Sequence, residues 1–248
     1  MPFAFTGAGA TSNIELSSRG TISAGDNSAV LYAKNNARSL NTGNITVGND
    51  SVGLYGDVVN NISNTGNITV GNSSKGIYLK EASLTSDVNT GKISSTSDAA
   101  IGIYSEYTGV APTLIKTSNE INLSGDKTIG IYATGTGVQN IENSGLIKIG
   151  ISNNGSDPSI GIYNNNSGNS ILNTGTIEVG KKSLAIYNTG GNVTQDGILN
   201  IGENGVVYSY DTKFDVYTYD VDDTLVNTDG STLEGSDYSV PQGPPMMT

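Results

Sequence analysis

Few residues in this chain have side chains that could do chemistry, and most of them fall in two groups. Tyrosines close a recurring phrase of small residue, aliphatic and Tyr, at Tyr32, Tyr55, Tyr78, Tyr104, Tyr132, Tyr163, Tyr187 and Tyr208. A row of exposed rings is a surface on which saccharides can stack. The second group is the stretch SYDTKFDVYTYDVDDT at 209–224. It carries Tyr210, Phe214, Tyr217 and Tyr219 among Asp220, Asp222 and other acids, and aromatics on a protruding segment suit partner recognition. The continuation DVDDTLVNTDG has the look of a Ca²⁺ loop, yet it lacks the spaced glycine and the closing glutamate of one. No metal site is assigned to it. With no His and no Cys, the commonest acid–base group and the thiolate ligand are both missing.

The elements that position these residues follow from a repeat. The tyrosines are spaced by 23, 23, 26, 28, 31, 24 and 21 residues. Between them stands a second phrase, NTGNITVG at 41–48 and again at 64–71, then NTGKIS at 89–94, NSGLIKIG at 143–150 and NTGTIEVG at 173–180. Self-similarity at such a period signals stacked units. In I-x-V the two aliphatics share one strand face. One column runs Ile22, Ile45, Ile68, Ile93, Ile121, Ile147, Ile177, Leu199. Its partner runs Ala24, Val47, Val70, Ser95, Leu123, Ile149, Val179, Ile201, with Ser95 the polar exception. The residues between the columns are polar and vary freely.

Period-two alternation with Gly or Asn every few positions excludes a helix, and leucine-rich repeats would need more leucines per unit. The predicted fold is all-β: a right-handed parallel β-helix of eight to nine coils, about 23 residues each. An inward Asn column (Asn41, Asn64, Asn89, Asn143, Asn173) is expected to form a hydrogen-bonded ladder. The same alternation, counted through IGIY, turns the two isoleucines inward and sends both Gly and Tyr outward. Gly53, Gly76, Gly102, Gly130 and Gly161 would then clear space for an outer stack of Tyr55, Tyr78, Tyr104, Tyr132, Tyr163 and Tyr187. Because the tyrosines occur in every coil, they read as a building rule; a binding site tends to interrupt a repeat.

The organisation read from the sequence is an N-terminal edge or appended segment at 1–12 and repeats over 13–208. An acidic, aromatic excursion follows at 209–224, then a degenerate terminal coil at 225–240 and a disordered tail at 241–248. Two smaller bulges, 105–117 with Tyr107 and 151–159, join the excursion as candidate partner-binding departures. A net charge of −11 argues against nucleic acid and against anionic lipid, and no apolar run is long enough to span a membrane as a helix. β-Helical polysaccharide lyases and hydrolases need clustered carboxylates beside a base. Here Glu120 and Glu178 fall two coils apart, so no catalytic residue and no cofactor is assigned.

The phrase N-x-G-x-I-x-V-G-x-x-S-x-G-I-Y at 41–55 and 64–78 resembles the passenger repeats of large fusobacterial type V autotransporter adhesins. The likeness covers roughly 13–208 and the degenerate unit at 225–235. It implies a piece of a longer passenger, exported across the outer membrane by a β-barrel and displayed on the bacterial surface. The implied partners are a host cell-surface protein or glycan, or other bacteria, with the segment monomeric within its longer chain and not itself inserted in a membrane. A glycan-binding spike of phage or bacterial origin and a β-helical lyase or hydrolase stand as the alternative readings.

Overall fold

The computed structural model describes residues 3–9, 11–16, 19–153, 158–210, 213–215, 218–219 and 225–226, with side chains described from residue 8 to 205. Every element in it is a strand, and the strands stack in parallel into three walls. The result is a right-handed parallel β-solenoid of about seven turns, slightly fewer than the tyrosine count gave.

The first wall holds the tyrosine phrases, as Ala29–Lys34, Val52–Asp57, Lys75–Lys80, Ile101–Glu106, Ile129–Thr134, Ile160–Asn164 and Leu184–Asn188. Its register aligns Tyr32, Tyr55, Tyr78, Tyr104, Tyr132, Tyr163 and Tyr187 coil by coil. Tyr208 breaks the series, since it stands opposite Ile186 while Ser209 takes the place opposite Tyr187. Beyond it the chain folds back, and Lys213–Asp215 pairs antiparallel with Val206–Tyr210. Leu225 and Val226, expected to open a further stacked coil, pair antiparallel with Tyr219 and Thr218; the rest of 225–240 and the tail at 241–248 lie outside the described residues.

The second wall carries the I-x-V strands from Thr21–Ala24 to Ile198–Ile201. The isoleucine column Ile45, Ile68, Ile93, Ile121, Ile147 and Ile177 faces the interior with essentially no exposure, and Ile22 and Leu199 in the end coils are partly buried. Ser95 is buried as its column requires, and its hydroxyl donates to the Val70 carbonyl at 2.8 Å, which satisfies the polar group inside.

The third wall is broken. Asn13–Leu16, Arg38–Asn41 and Ile62–Asn64 form one sheet, and Thr113–Thr117, Gln139–Asn143, Ser170–Asn173 and Asn192–Gln195 form another. Between them the arm 81–88 contains no strand, and only single bridges at Asn89 connect the two. Inside this wall runs the amide ladder. The Asn41 side-chain amide donates to Asn64 at 2.7 Å, Asn64 to Asn89 at 2.8 Å and Asn89 to the Thr117 hydroxyl at 3.0 Å. It resumes from Asn143 to Asn173 at 2.7 Å and from Asn173 to Gln195 at 2.9 Å. All five asparagines are buried, so each bond spares a buried polar group from going unpaired.

The glycine of the tyrosine phrase faces inward, contrary to the alternation. A Cβ on Gly130 would lie 2.5 Å from the Gly161 carbonyl oxygen and 2.6 Å from the Ile147 Cγ2. Gly53, Gly76, Gly102 and Gly161 meet the equivalent pair of atoms, with the isoleucine at 68, 93, 121 and 177. Val30 and Ala185, which hold this column in the end coils, are wholly buried. Gly102 and Ile103 are both buried in succession, while Ile101 and Ile129 are only half-buried. The strand thus bends inward for two residues, and the glycine lets neighbouring coils close on the core.

Candidate functional site

The tyrosine row is half-buried and continuous. Neighbouring ring centroids lie 4.5–5.0 Å apart from Tyr32 to Tyr187. Rings Tyr104, Tyr132, Tyr163 and Tyr187 stack within 12° of parallel. Tyr78 and Tyr104 meet edge-on at 90°, and there the Lys75 ammonium sits 5.9 Å from one ring centroid and 5.5 Å from the other. The Tyr32 hydroxyl donates to Asp57 at 3.2 Å and the Tyr78 hydroxyl to Glu106 at 3.1 Å. Burial, reinforced by the Asp57 carboxylate, pushes Tyr55 up to about 12. Burial, reinforced by the neighbouring rings, does the same to Tyr163. Aromatic pairs of this kind add about 0.5–1.5 kcal/mol each beyond their buried area. The rings spend their faces on one another, which leaves edges for a ligand.

Tyr107, expected on a recognition bulge, is 4% exposed, and its hydroxyl donates to the Ala111 carbonyl at 2.5 Å. A Cβ on Gly109 or Gly137 would strike its ring. It is a plug that folds the bulge onto the wall, so its aromatic character serves packing. The aromatic excursion is only partly placed. Tyr210, Phe214 and Tyr219 lie on described backbone in antiparallel pairs, with side chains outside the description. Tyr217, Asp220 and Asp222 lie outside the described residues.

Several outer carboxylates are neutralised by lysines one coil away: Lys34–Asp57 at 3.6 Å, Lys92–Glu120 at 2.7 Å, Lys148–Glu178 at 2.5 Å and Lys181–Glu203 at 2.5 Å. The Lys92 hydrogen bond holds Glu120 below the usual carboxylate range. One grouping escaped the sequence reading, which searched the I-x-V strands. Lys116 pairs with Glu142 at 3.3 Å on the third wall, beside Asp87 of the strandless arm. Burial pushes the Asp87 carboxyl up, while hydrogen bonds from Ser118 and Asn89 and the Lys116 charge pull the other way. Among the described residues no group of three or more acids is arranged to hold a metal ion.

A second internal ladder was also missed. The backbone N–H of Ser28 donates to the Ser51 hydroxyl at 3.0 Å, that of Ser51 to Ser74 at 2.9 Å and that of Thr128 to Ser159 at 3.1 Å. Just before it, the turn holds Asn27, Asp50, Ser73, Ala99 and Lys127 in the left-handed region, φ 51–55°. The serine of the repeated phrase was the available signal. A further feature is an open groove of about 560 Å³ at the corner between first and third walls, lined by Asn36, Arg38, Asn60, Asn61, Ser83 and Thr85.

A family profile described as the BigA third pectate lyase-like domain matches residues 9–230. No curated protein and no solved structure matches the chain.

Proposed function

Since the chain belongs to the BigA third pectate lyase-like domain family over residues 9–230, we propose that it is a non-enzymatic segment of a bacterial surface rod contributing to adhesion. Its partners on this reading are host cells, glycans or other bacteria. The observation that carries the reading is how the repeat spends its polar residues. Buried amides, turn serines and five lysine–carboxylate pairs are consumed in coil-to-coil ladders, the economy of a rod that must hold its shape without cysteines. The family name describes a fold by its likeness to pectate lyase, and a fold hosts many chemistries. Lys116, a base with the Asp87 and Glu142 carboxylates near it, is engaged by Glu142, an arrangement that favours a charge rung over a base awaiting substrate.

Export by a type V route is part of the proposal, and a β-barrel segment encoded downstream in the parent gene would support it. The functional test uses beads coated with the folded chain. Attachment to epithelial cells or to other bacteria, lost when the chain is heat-unfolded, is the expected result. The same protein incubated with acidic polysaccharides should leave their chain length unchanged. Cleavage that disappears in a Glu142→Gln variant would replace this reading with an enzymatic one.

A further inference from the structure

We propose that the corner groove binds the carboxylate of an acidic saccharide, with Arg38 as its anchor; the biological meaning of that site rests on the adhesive reading. The groove spans three coils at the place where the third wall fails. Arg38 opens the strand Arg38–Asn41 and Asn61 immediately precedes Ile62–Asn64, the last two strands of the intact sheet. Ser83 and Thr85 come from the strandless arm, which stays stacked through the Ser83 N–H bond to the Val59 carbonyl at 2.9 Å. The volume of about 560 Å³ falls in the range of small-ligand sites, about 300–1,000 Å³.

None of these six side chains has a hydrogen-bond or ion-pair partner among the described residues. Asn41, Asn64, Ser51 and Ser74, by contrast, are spent on ladders. Here one guanidinium, three amides and two hydroxyls face a shared space with their donors and acceptors free. Five lysines pair with carboxylates across coils, whereas Arg38 does not. Two carboxylates of the flanking turns are already occupied: Asp57 by Lys34 and Tyr32, and Glu81 by the backbone N–H and hydroxyl of Thr108.

A lone guanidinium matches a planar monoanion, because its fork can donate two parallel hydrogen bonds to one carboxylate. A phosphate dianion would be only half neutralised by it. The flanking amides and hydroxyls suit the ring hydroxyls of a sugar. Two residues before Asn60 in the chain stands an exposed valine. Val58, 45% exposed, has φ 54° in line with Asn35 at 52° and Glu81 at 50°, and its carbonyl accepts from the Asn36 N–H at 2.8 Å. A β-branched residue in that region is an outlier, and strain of this kind gathers at ligand-binding places.

The test is calorimetric titration of the folded chain, at physiological salt, with sialyllactose, with a tetrasaccharide containing glucuronate, and with neutral lactose. At least one acidic sugar should bind saturably and at least tenfold more tightly than lactose. Arg38→Ala should weaken that binding at least tenfold without moving the melting temperature, since the guanidinium has no partner in the fold to lose. Arg38→Lys, which keeps the charge and loses the fork, should fall between. Failure of both acidic sugars to bind, or equal binding by the Arg38→Ala chain, overturns the proposal. Bead attachment to cells separates this from the wider reading. Attachment that persists when neither sugar binds overturns the groove alone. Attachment that persists in Arg38→Ala after its sugar binding is gone upholds the groove and assigns cell contact to another face.

Discussion

Replacing Gly130 by Ala should destabilise the rod, although the new methyl group is as small as any side chain. The Cβ would start 2.5 Å from the Gly161 carbonyl and 2.6 Å from the Ile147 Cγ2. Ordinary contact begins near 3.4 Å, so both neighbours must give by close to an ångström, and one of them is backbone of the next coil. Overpacking of this size costs about 1–3 kcal/mol, and at about 2–4 °C per kcal/mol for a chain this long the melting temperature should fall by roughly 2–12 °C. Gly168→Ala is the matched control. Its nearest neighbours would be 3.4 and 3.5 Å away, and a Gly-to-Ala change at a compatible site gains about 0.4–1 kcal/mol. One end coil keeps a Cβ beside an isoleucine, Val30 against Ile45, and the other has lost the isoleucine. Where the column holds Ala185, the register places Leu199 in the column of Ile177, and leucine lacks the Cγ2 that would clash. Gly130→Ala combined with Ile147→Leu should therefore recover part of the loss in a double-mutant cycle. Thermal unfolding followed by far-ultraviolet circular dichroism reads the five chains: parent, Gly168→Ala, both single variants of the cycle and the double variant. A Gly130→Ala protein melting at or above the parent would refute the inward placement and restore the outward one.

Three further outcomes follow from the ladders and rings. Asn64→Ala removes one bond to each neighbour and strands the buried amide groups of Asn41 and Asn89; at about 1–3 kcal/mol per unpaired group, urea unfolding should show a loss of roughly 2–5 kcal/mol, while the exposed Asn67→Ala should stay within about 0.5 kcal/mol. Glu178→Gln leaves Lys148 unpaired on a surface where both partners are well exposed, and such pairs contribute about 0–1 kcal/mol, so its urea midpoint should hardly move. For the tyrosines the sign is set by the folded value lying above the unfolded one. Unfolded tyrosine ionises near about 10, whereas Tyr55 and Tyr163 are held up to about 12. Their contribution is complete below pH 10 and is lost as the pH climbs toward 12. Spectrophotometric titration should show phenolate absorbance lagging behind the unfolded chain over that window, and ionisation of all tyrosines near pH 10 in the folded protein would contradict it.

The stacking columns were legible because stacking repeats a demand. Each coil needs an aliphatic at the same place, so Ile45, Ile68 and Ile121 declare the register of the second wall, and Asn41, Asn64 and Asn89 the turn of the third. The glycine was misread because period-two alternation was carried through a bend. Tyr104 adjoins Ile103 and was placed correctly from it, but Gly102 lies on the far side of a point where two successive residues face the core. Tyr107 misled because its ring was judged by sequence surroundings rich in Gly and Thr, the composition that lets a chain wrap around a ring. The groove was invisible for a different reason: Arg38, Asn61 and Ser83 belong to three coils, and nothing in their spacing says that their partners are missing.

The claim at the centre of this account is that the recurring tyrosine phrase builds the wall and that recognition lies elsewhere. Its most direct test is bead attachment by a Tyr132→Leu, Tyr163→Leu chain, measured at a temperature where circular dichroism shows it folded. The rings of Tyr104 through Tyr187 form three stacked pairs, and the substitutions remove all of them, so the melting temperature should fall. Attachment should equal that of the parent chain. Attachment abolished in a protein that melts like the parent would make the tyrosine row the binding surface and contradict the account.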